Sequence, residues 1–543
     1  MKLDAIYRNA QIRTLDAARP HAQSVGVFAG RVIGFDEELD SASAEEEIDL
    51  AGAPVLPGFN DAHNHLSITG ARLAGLDLRP RTVADLDELY AAVARHARTL
   101  GPDDWVRGSG YDQNFLDGHP SAEHLDRVAG GRPVFLQHVS EHMAVANTRA
   151  FELAGYPDRH GVPRIDGGHV ARDEQGRATG LLQERALEII YDLVRPMRQD
   201  DLLHHLRLGG QQALSYGITS LTEPGSGAPA MIGSTPVDFH VYQRAIEERI
   251  ALPRVTLMPY CTTLHQIQGL REGEYLGLDL GMRTGLGDEK LRIGPVKILS
   301  DGSFIGRSAA MHRCYHGEPE NFGFLQFEPG ELHRMIRLAH DSGWTVATHA
   351  IGDAAIDHVL DGFAAAQRAT PRPGARHRIE HFALSSPAQV RRAAGLGLVA
   401  VPQGTFISDF GDGMMDAVDG ERSGWIYRMK SLLQAGLELP GSTDAPVADA
   451  NPLASIHDMV NRTTASGRLL GASERLTVAE AVRAYTYGSA YAAGEEHLKG
   501  TLRRGQLADF VTLSEDLFAV DPRRIRDLEV TGTYLGGRRA YAS

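Results

Sequence analysis

The chain begins with short alternating segments. Between residues 3 and 56, DAIYRNAQIRT, QSVGVFAGRVIGFD and EEEIDLAGAPVLP alternate apolar and polar positions around glycine turns such as Ala29-Gly30-Arg31. That is the period of half-buried strands. The tail has the same texture in GTLRRGQLADFVTLSED and EVTGTYLGGRRAYAS. Neither end has the apolar mass for a core of its own. The pattern predicts one small β-sandwich domain built from residues 1–56 and 495–543. Two separate β appendages are the alternative.

From Val55 the pattern changes to apolar strand, loop and helix. Eight short apolar runs follow: PVLPGFNDAHNH (54–65), ITSLTEP (218–224), RVTLMPYCT (254–262), RIGPVKILSDG (292–302), WTVATHA (344–350), HRIEH (377–381), LVAVPQ (398–403) and ELPGSTDAP (438–446). Helical stretches such as PGELHRMIRLAHDSG, DAAIDHVLDGFAAAQR and SPAQVRRAAGLG lie between them. Eight such repeats across residues 57–494 predict an α/β fold of the (β/α)8, TIM-type barrel class. A doubly wound open sheet is the alternative. Residues 67–217 are too long for a loop and carry their own helix (TVADLDELYAAVARHARTLG) and strands (RPVFLQHV, HVARDEQGRATG). They predict an α/β insertion after the first barrel strand that covers the barrel mouth.

Composition narrows the partners. The 543 residues are 42% hydrophobic and 23% charged, with a net charge of -15. The basic residues form no runs, which argues against nucleic acid and anionic membrane and leaves a small molecule as the expected partner. Cys261 and Cys314 are the only cysteines, so no disulfide framework exists and a reducing cytoplasm is expected. The N-terminal MKLDAIYRNAQIRTLD has early acids and no apolar signal-peptide core. No apolar stretch reaches the ~20 residues of a membrane span.

The chemistry-bearing residues sit at the ends of the apolar runs. The first run ends in His63-x-His65, where strand period 2 would place both imidazoles on one face. The fourth holds Lys297, the fifth ends in His349, the sixth in His381 and the eighth in Asp444. In a (β/α)8 barrel the C-terminal strand ends converge on one face, the active-site face. Imidazoles and a carboxylate gathered there suit a divalent metal such as zinc. Lys297 could instead pair with Asp301, and His381 could be a buried histidine satisfied by Glu380.

This ordered set resembles the amidohydrolase superfamily of metal-dependent hydrolases. The fuller motifs resemble its amidohydrolase 3 group, YtcJ-like, which includes N-substituted formamide deformylases: PGFNDAHNHL, GYDQNF, GLLQERA, YGITSLTEPG, VKILSDGSFIGRSA, THAIGDAAID, RIEHF, GSTDAPV and GTLRRGQLADFVTL. The resemblance implies one or two divalent ions, zinc by expectation, held by His63, His65, His349, His381 and Asp444. It implies Lys297 as a CO2-carboxylated, metal-bridging ligand and Asp444 as the general base. A mononuclear site without the Lys297 bridge is the variant. The implied reaction is hydrolysis of an amide or N-substituted formamide. Ester, carbamate or cyclic imide hydrolysis at the same site, or a decayed binding protein, are the rivals. A homodimer is implied by the family alone.

Outer positions follow from the same resemblance. Tyr111, His142, Asn147, Glu184 and Arg307 are expected around the substrate, with His138 and His142 both facing it from the insertion; a surface helix pair is the alternative for these two histidines. Tyr111 takes the place of a frequent Trp, and Glu223 that of a common Asp. A second cluster, His312-x-Cys314-x-His316, is expected to line the loop after the fourth strand; a separate zinc there is the alternative.

Overall fold

The computed structural model describes residues 2–80, 82–194, 197–227, 235, 237–267 and 274–543. Two sheets gather the chain's ends. One is four-stranded, in the order Arg31–Phe35, Val25–Phe28, Lys2–Arg8, Ser43–Asp49. The other has six strands: Arg538–Ala542, Val530–Leu535, Phe510–Leu513, Pro54–Pro57, Gln11–Arg13 and His21–Ala22. Both contribute to one apolar cluster, in which Tyr7 sets its ring edge-on to Phe510 and Tyr534 at 5.0 and 5.4 Å. Pro54–Pro57 pairs antiparallel with Phe510–Leu513, which explains why the two ends share one pattern. The buried Arg254 ties this unit to the middle of the chain through a two-pronged ion pair with Asp509, at 2.6 and 3.0 Å.

The middle holds two parallel four-stranded sheets. The first contains β1 (Phe59–Asp61), β2 (Ile218–Ser226), β3 (Arg254–Pro259) and β4 (Leu291–Ile293), in the order β4-β3-β2-β1. The second runs β5 (Val296–Leu299), β6 (Val346–Ala350), β7 (Arg378–His381), β8 (Val399–Val401). These strands are almost wholly buried, as parallel strands covered on both faces must be. The fourth apolar run is split at Gly294-Pro295 into β4 and β5, because Pro295 has no N–H to give to a ladder. Backbone pairings join the two sheets at both edges. Tyr260 bridges Lys297, and Gln403 bridges Ser442. Ala62 N–H then reaches Gly441 O (3.0 Å), and Asp444 N–H reaches His63 O (2.8 Å).

Helix α1 (Leu66–Ala74) starts directly after the His-x-His triplet, and α2 (Gln199–Ser215) packs across it. A Cβ on Gly70 would sit 1.8 Å from the carbonyl oxygen of His205, and one on Gly209 would sit 2.4 Å from that of Leu66. Only glycine permits so close an approach. Leu66, Leu202, Leu206 and Ala213 share a cluster with Ile218, Val255 and Leu257. Both helices, within the stretch expected as insertion, therefore pack on the parallel strands. Between them lies a six-stranded sheet, in the order Gly168–Arg172, Ala178–Glu184, Met143–Ala146, Val134–His138, Val106–Tyr111, Leu76–Asp77.

Candidate metal centre

The strand expected through His65 stops at Asp61. Its carboxylate accepts from the His63 backbone N–H (3.1 Å) and from the Asn64 amide (3.0 Å), so the chain turns there. His63 and His65 thus lie in the turn between β1 and α1. Both are buried, and Asn64 is held aside by Asp61 and Thr443.

Register explains the second sheet's contribution. Lys297 pairs with Ala347, which pairs with Arg378; Leu299 pairs with His349, which pairs with Glu380. Paired residues of parallel strands face the same way, so Lys297, His349, Arg378 and Glu380 share one face. His381 follows Glu380 and would point to the opposite face of a regular strand. Its φ of +70° turns it into the cavity instead. Asp444 also has a positive φ, +57°. Such backbone costs about 1–3 kcal/mol per residue and persists where the surroundings enforce it.

These turns bring the ligand candidates together. The Nε2 atoms of His63 and His65 each lie 3.3 Å from Asp444 Oδ1. His381 Nδ1 is 3.9 Å from Asp444 Oδ2. The ring centroids of His381 lie 5.2 Å from His63 and 4.5 Å from His349. Lys297 lines the same cavity, with no ion-pair partner among the described residues. Asp301 does not pair with it: its carboxylate accepts from the backbone N–H groups of Ala310, Ile351 and Gly352.

Outer contacts orient each ring. His63 Nδ1–H donates to Glu380 Oε2 (2.5 Å), leaving the Nε2 lone pair toward Asp444. Glu380 is itself gripped by Arg378 through two 2.8 Å hydrogen bonds. His381 Nδ1–H donates to Gln403 Oε1 (2.9 Å), and the Gln403 amide donates to Val401 O and Ser442 Oγ. His349 Nε2–H donates to Gly302 O (3.1 Å), which leaves its Nδ1 lone pair free. Partners of this kind fix tautomers for ligation.

Burial does the rest. It pushes His63 and His349 well below the usual imidazole range and His381 down to about 3, so the rings are neutral. It pushes the Lys297 amine down to about 8, against the pull of Glu380 and Asp444. Asp444 Oδ1 is buried without a hydrogen-bond partner. With His63 and His65 it forms a set of ligand atoms all within 4.8 Å of one another. An orphaned carboxylate oxygen facing two imidazole nitrogens is the donor set a divalent cation satisfies.

The sequence model of the Amidohydrolase family matches residues 46–541. The chain belongs to the amidohydrolase family. It is 30% identical to the N-substituted formamide deformylase of Arthrobacter pascens, over 99% of this chain and 98% of that protein. It is 29% identical to the putative amidohydrolase YtcJ of Bacillus subtilis (strain 168), over 99% of each. Among solved structures it resembles an uncharacterized metal-dependent hydrolase from Pyrococcus horikoshii OT3, at 27% identity and a TM-score of 0.75, covering 95% of this chain and 99% of that one. Among the described residues of this amidohydrolase, no helix is long and apolar enough to cross a membrane.

The amidohydrolase assembles some of the expected outer residues and scatters others. His142 lines the cavity of the candidate ligands, with its ring 5.8 Å from His349 and its Nδ1 2.9 Å from Glu184. Ser308 and Gln326 hold Glu184 in turn (2.6 and 3.3 Å). Burial would lower His142, and Glu184 outweighs it, so the shift is upward. Tyr111 does not line that cavity. It is buried in an apolar cluster with Leu78, Leu89 and Leu136, its hydroxyl 3.1 Å from His119, because strand Val106–Tyr111 turns its last side chain inward. His138 is buried beside it, on Gln113 and Ser140 (2.8 Å to the latter). Asn147 caps a helix and bonds Val134, Ala150 and Arg132, all backbone groups (2.9, 3.1 and 3.0 Å). Arg307 pairs with Glu318 away from the cavity lining (2.5 Å).

Glu223 is likewise engaged, by Ser67 N–H (3.0 Å), the Ser67 hydroxyl and the Tyr242 hydroxyl. His312 pairs with Asp357 (2.9 Å) at the surface. Among the described residues His312, Cys314 and His316 form no metal-holding group and line no part of the cavity. Sequence reasoning missed Glu380, Arg378 and Gln403 as orienting groups. The Arg-x-Glu spacing in RIEH, two residues apart on one strand face, was the available signal for the first two.

Proposed function

We propose that this protein hydrolyses a non-peptide carbon–nitrogen bond, in an amide or N-substituted formamide, with divalent metal held by His63, His65, His349, His381 and Asp444. The two parallel sheets read as halves of a (β/α)8 barrel with the metal site at the strands' C-terminal ends, where such barrels place their chemistry. The observation that carries the reading is the buried, unpartnered Asp444 Oδ1 facing the Nε2 atoms of His63 and His65. Zinc is the expected metal, from the imidazole-rich donor set. When bound, the cation supplies Lewis acidity, polarising the substrate carbonyl and bringing the pKa of water toward ~7.

The chain supplies the rest. Asp444, ionised, accepts the proton of the attacking water at its carboxylate. It then delivers that proton to the leaving nitrogen, so one water is consumed and an acid and an amine are released. Glu380 and Gln403 keep His63 and His381 in their ligating tautomers. Lys297, near its pKa of about 8, keeps a neutral amine fraction. That amine can add CO2 and lose a proton to form a carbamate, which converts a repelling cation into an anionic ligand. His142, steadied by Glu184, covers the cavity from the insertion and faces the substrate.

The name of the Arthrobacter pascens relative supports the formamide end of this substrate range. Ester, carbamate or imide hydrolysis would use the same residues, so a substrate panel is the test. Metal-loaded protein is expected to release amine from at least one simple amide or formamide, and Asp444→Asn to lose that activity at least a thousandfold. Turnover of esters alone, or turnover that survives Asp444→Asn, overturns the reading.

A further inference from the structure

Tyr427 lines the same cavity as His63, Lys297 and Asp444, edge-on to Phe406 at 6.0 Å. Its hydroxyl donates to Gln403 Oε1 at 3.2 Å. That oxygen also accepts from His381 Nδ1–H at 2.9 Å, so the phenol stands beside a candidate ligand ring. O–H···O bonds usually lie near ~2.7–2.8 Å, and this one is long. Gln403 does not depend on it, because its amide already donates to Val401 O and Ser442 Oγ, which fixes its orientation. The Tyr427 hydroxyl is therefore free to turn to a bound molecule. Burial pushes the phenol's pKa up, so it keeps the proton that it donates.

The backbone of Tyr427 is strained and braced. Its φ is +48°. Such a value persists in a non-glycine residue only where the surroundings enforce it, and it gathers at functional sites. The Tyr427 N–H donates to Ala383 O at 2.8 Å. Its carbonyl accepts from Arg462 Nη1 at 2.9 Å. Arg462 is fully buried, and its other nitrogens donate to Ile426 O (3.1 Å) and Leu470 O (2.7 Å). A guanidinium is taken out of water at a penalty that its hydrogen bonds must offset. Here it is spent on the loop that carries Tyr427.

We propose that Tyr427 is a further catalytic residue, whose hydroxyl leaves Gln403 and donates to the substrate's carbonyl oxygen as that oxygen gains negative charge. The proposal rests on the hydrolase reading and deepens it. When the attacking water oxygen bonds to the carbonyl carbon, the C=O π pair moves onto the oxygen. Tyr427 meets that charge with a hydrogen bond and transfers no proton; the attacking water's proton goes to Asp444. When the C–N bond breaks, the C=O bond re-forms and the hydroxyl returns to Gln403. A donor aimed at developing charge helps the transition state more than the ground state.

Tyr427→Phe keeps the ring and removes only the donor. In protein that turns over an amide, kcat should fall about a hundredfold with KM within about threefold of wild type. Binding provides a readout that needs no turnover. Zinc-loaded full-length protein would be titrated calorimetrically with methylphosphonate, whose anionic oxygens sit on a tetrahedral centre, and with acetate, which is planar. Tyr427→Phe should weaken methylphosphonate about tenfold or more and leave acetate within about twofold. A competitive chelator titration should give the same zinc affinity in both proteins. No methylphosphonate binding by wild type, equal binding by the variant, or equal loss of both probes overturns the donor. So does a loss of zinc affinity, which would reduce Tyr427 to a support for His381. A selective loss of methylphosphonate in protein that hydrolyses no amide supports the donor and overturns the amide reading alone.

Discussion

Glu380 holds the Nδ1 of His63 at 2.5 Å, at the boundary between the two parallel sheets. His63 follows β1 of one sheet and Glu380 belongs to β7 of the other, so this contact joins the sheets and sets the tautomer of a candidate ligand together. Arg378 adds to it, donating to Glu380 and also to Ala62 O at 2.7 Å.

Glu380→Gln removes the carboxylate that fixes that tautomer. Groups of this kind are worth ~10–100-fold in metal affinity. A competitive chelator titration should show a loss in that range, with the circular dichroism spectrum unchanged. Unaltered affinity would reduce Glu380 to a structural partner of Arg378.

Lys297 gives a second expectation. Equilibration with 13C-labelled CO2 should produce a carbamate carbon resonance that is absent from Lys297→Met, and that variant should lose activity about a hundredfold or more. A wild-type spectrum without the resonance, in fully active protein, would leave the lysine uncarboxylated.

A third expectation concerns acid stability. His340 and His377 are buried and linked at 2.7 Å, with Val346 N–H donating to His377 Nδ1 (3.0 Å) and His340 Nε2–H donating to Thr370 O (2.7 Å). The chain is complete with both rings neutral. Burial, and then His340 and Arg372, push His377 down to about 3 from the usual 6.5. Between those values the unfolded state binds the extra proton. Stability therefore rises with pH, and it is lost as pH falls from about 6.5 toward 3, with a slope of up to ~1.4 kcal/mol per pH unit. Melting curves across that window should flatten in His377→Leu, which should also melt lower at neutral pH. An equal slope in wild type and variant would contradict the assignment.

Gly70 links packing to chemistry. A methyl there meets the His205 carbonyl, so Gly70→Ala should cost ~1–3 kcal/mol by overpacking. Because α1 begins directly after His65, the same change should weaken metal binding. A chemical denaturation curve and a chelator titration on one sample would check both. Wild-type values in each would show that the helices separate freely.

The candidate ligands could be picked out because apolar runs that turn to His, Lys or Asp mark buried parallel strands: His349 and His381 lie at the ends of β6 and β7, Lys297 lies within β5, and Asp444 lies in the irregular stretch just after Ser442. The shared β texture of the two termini was legible for a similar reason, since Pro54–Pro57 and Phe510–Leu513 are partners. What periodicity misses is register and local turns. Glu380 faces His63 only because β7 is in step with β6, and the strand holding His63 ends early because Asp61 caps the turn. Tyr111 and Asn147 carry residue types that suit a binding site, but in the fold one fills an apolar cluster beside the six-stranded sheet and the other caps a helix. The docking of α1 on α2 depends on two glycines, which no hydrophobic pattern records.

Metal content per chain is the most direct measurement. Protein purified without chelator would be assayed by plasma mass spectrometry, as wild type and as Asp444→Asn. Bound divalent metal, zinc foremost, at one to two per chain in the wild type and sharply reduced in the variant is the predicted result. No metal in the wild type, with no activity restored by added zinc, would contradict a metal-dependent hydrolase built on His63, His65 and Asp444.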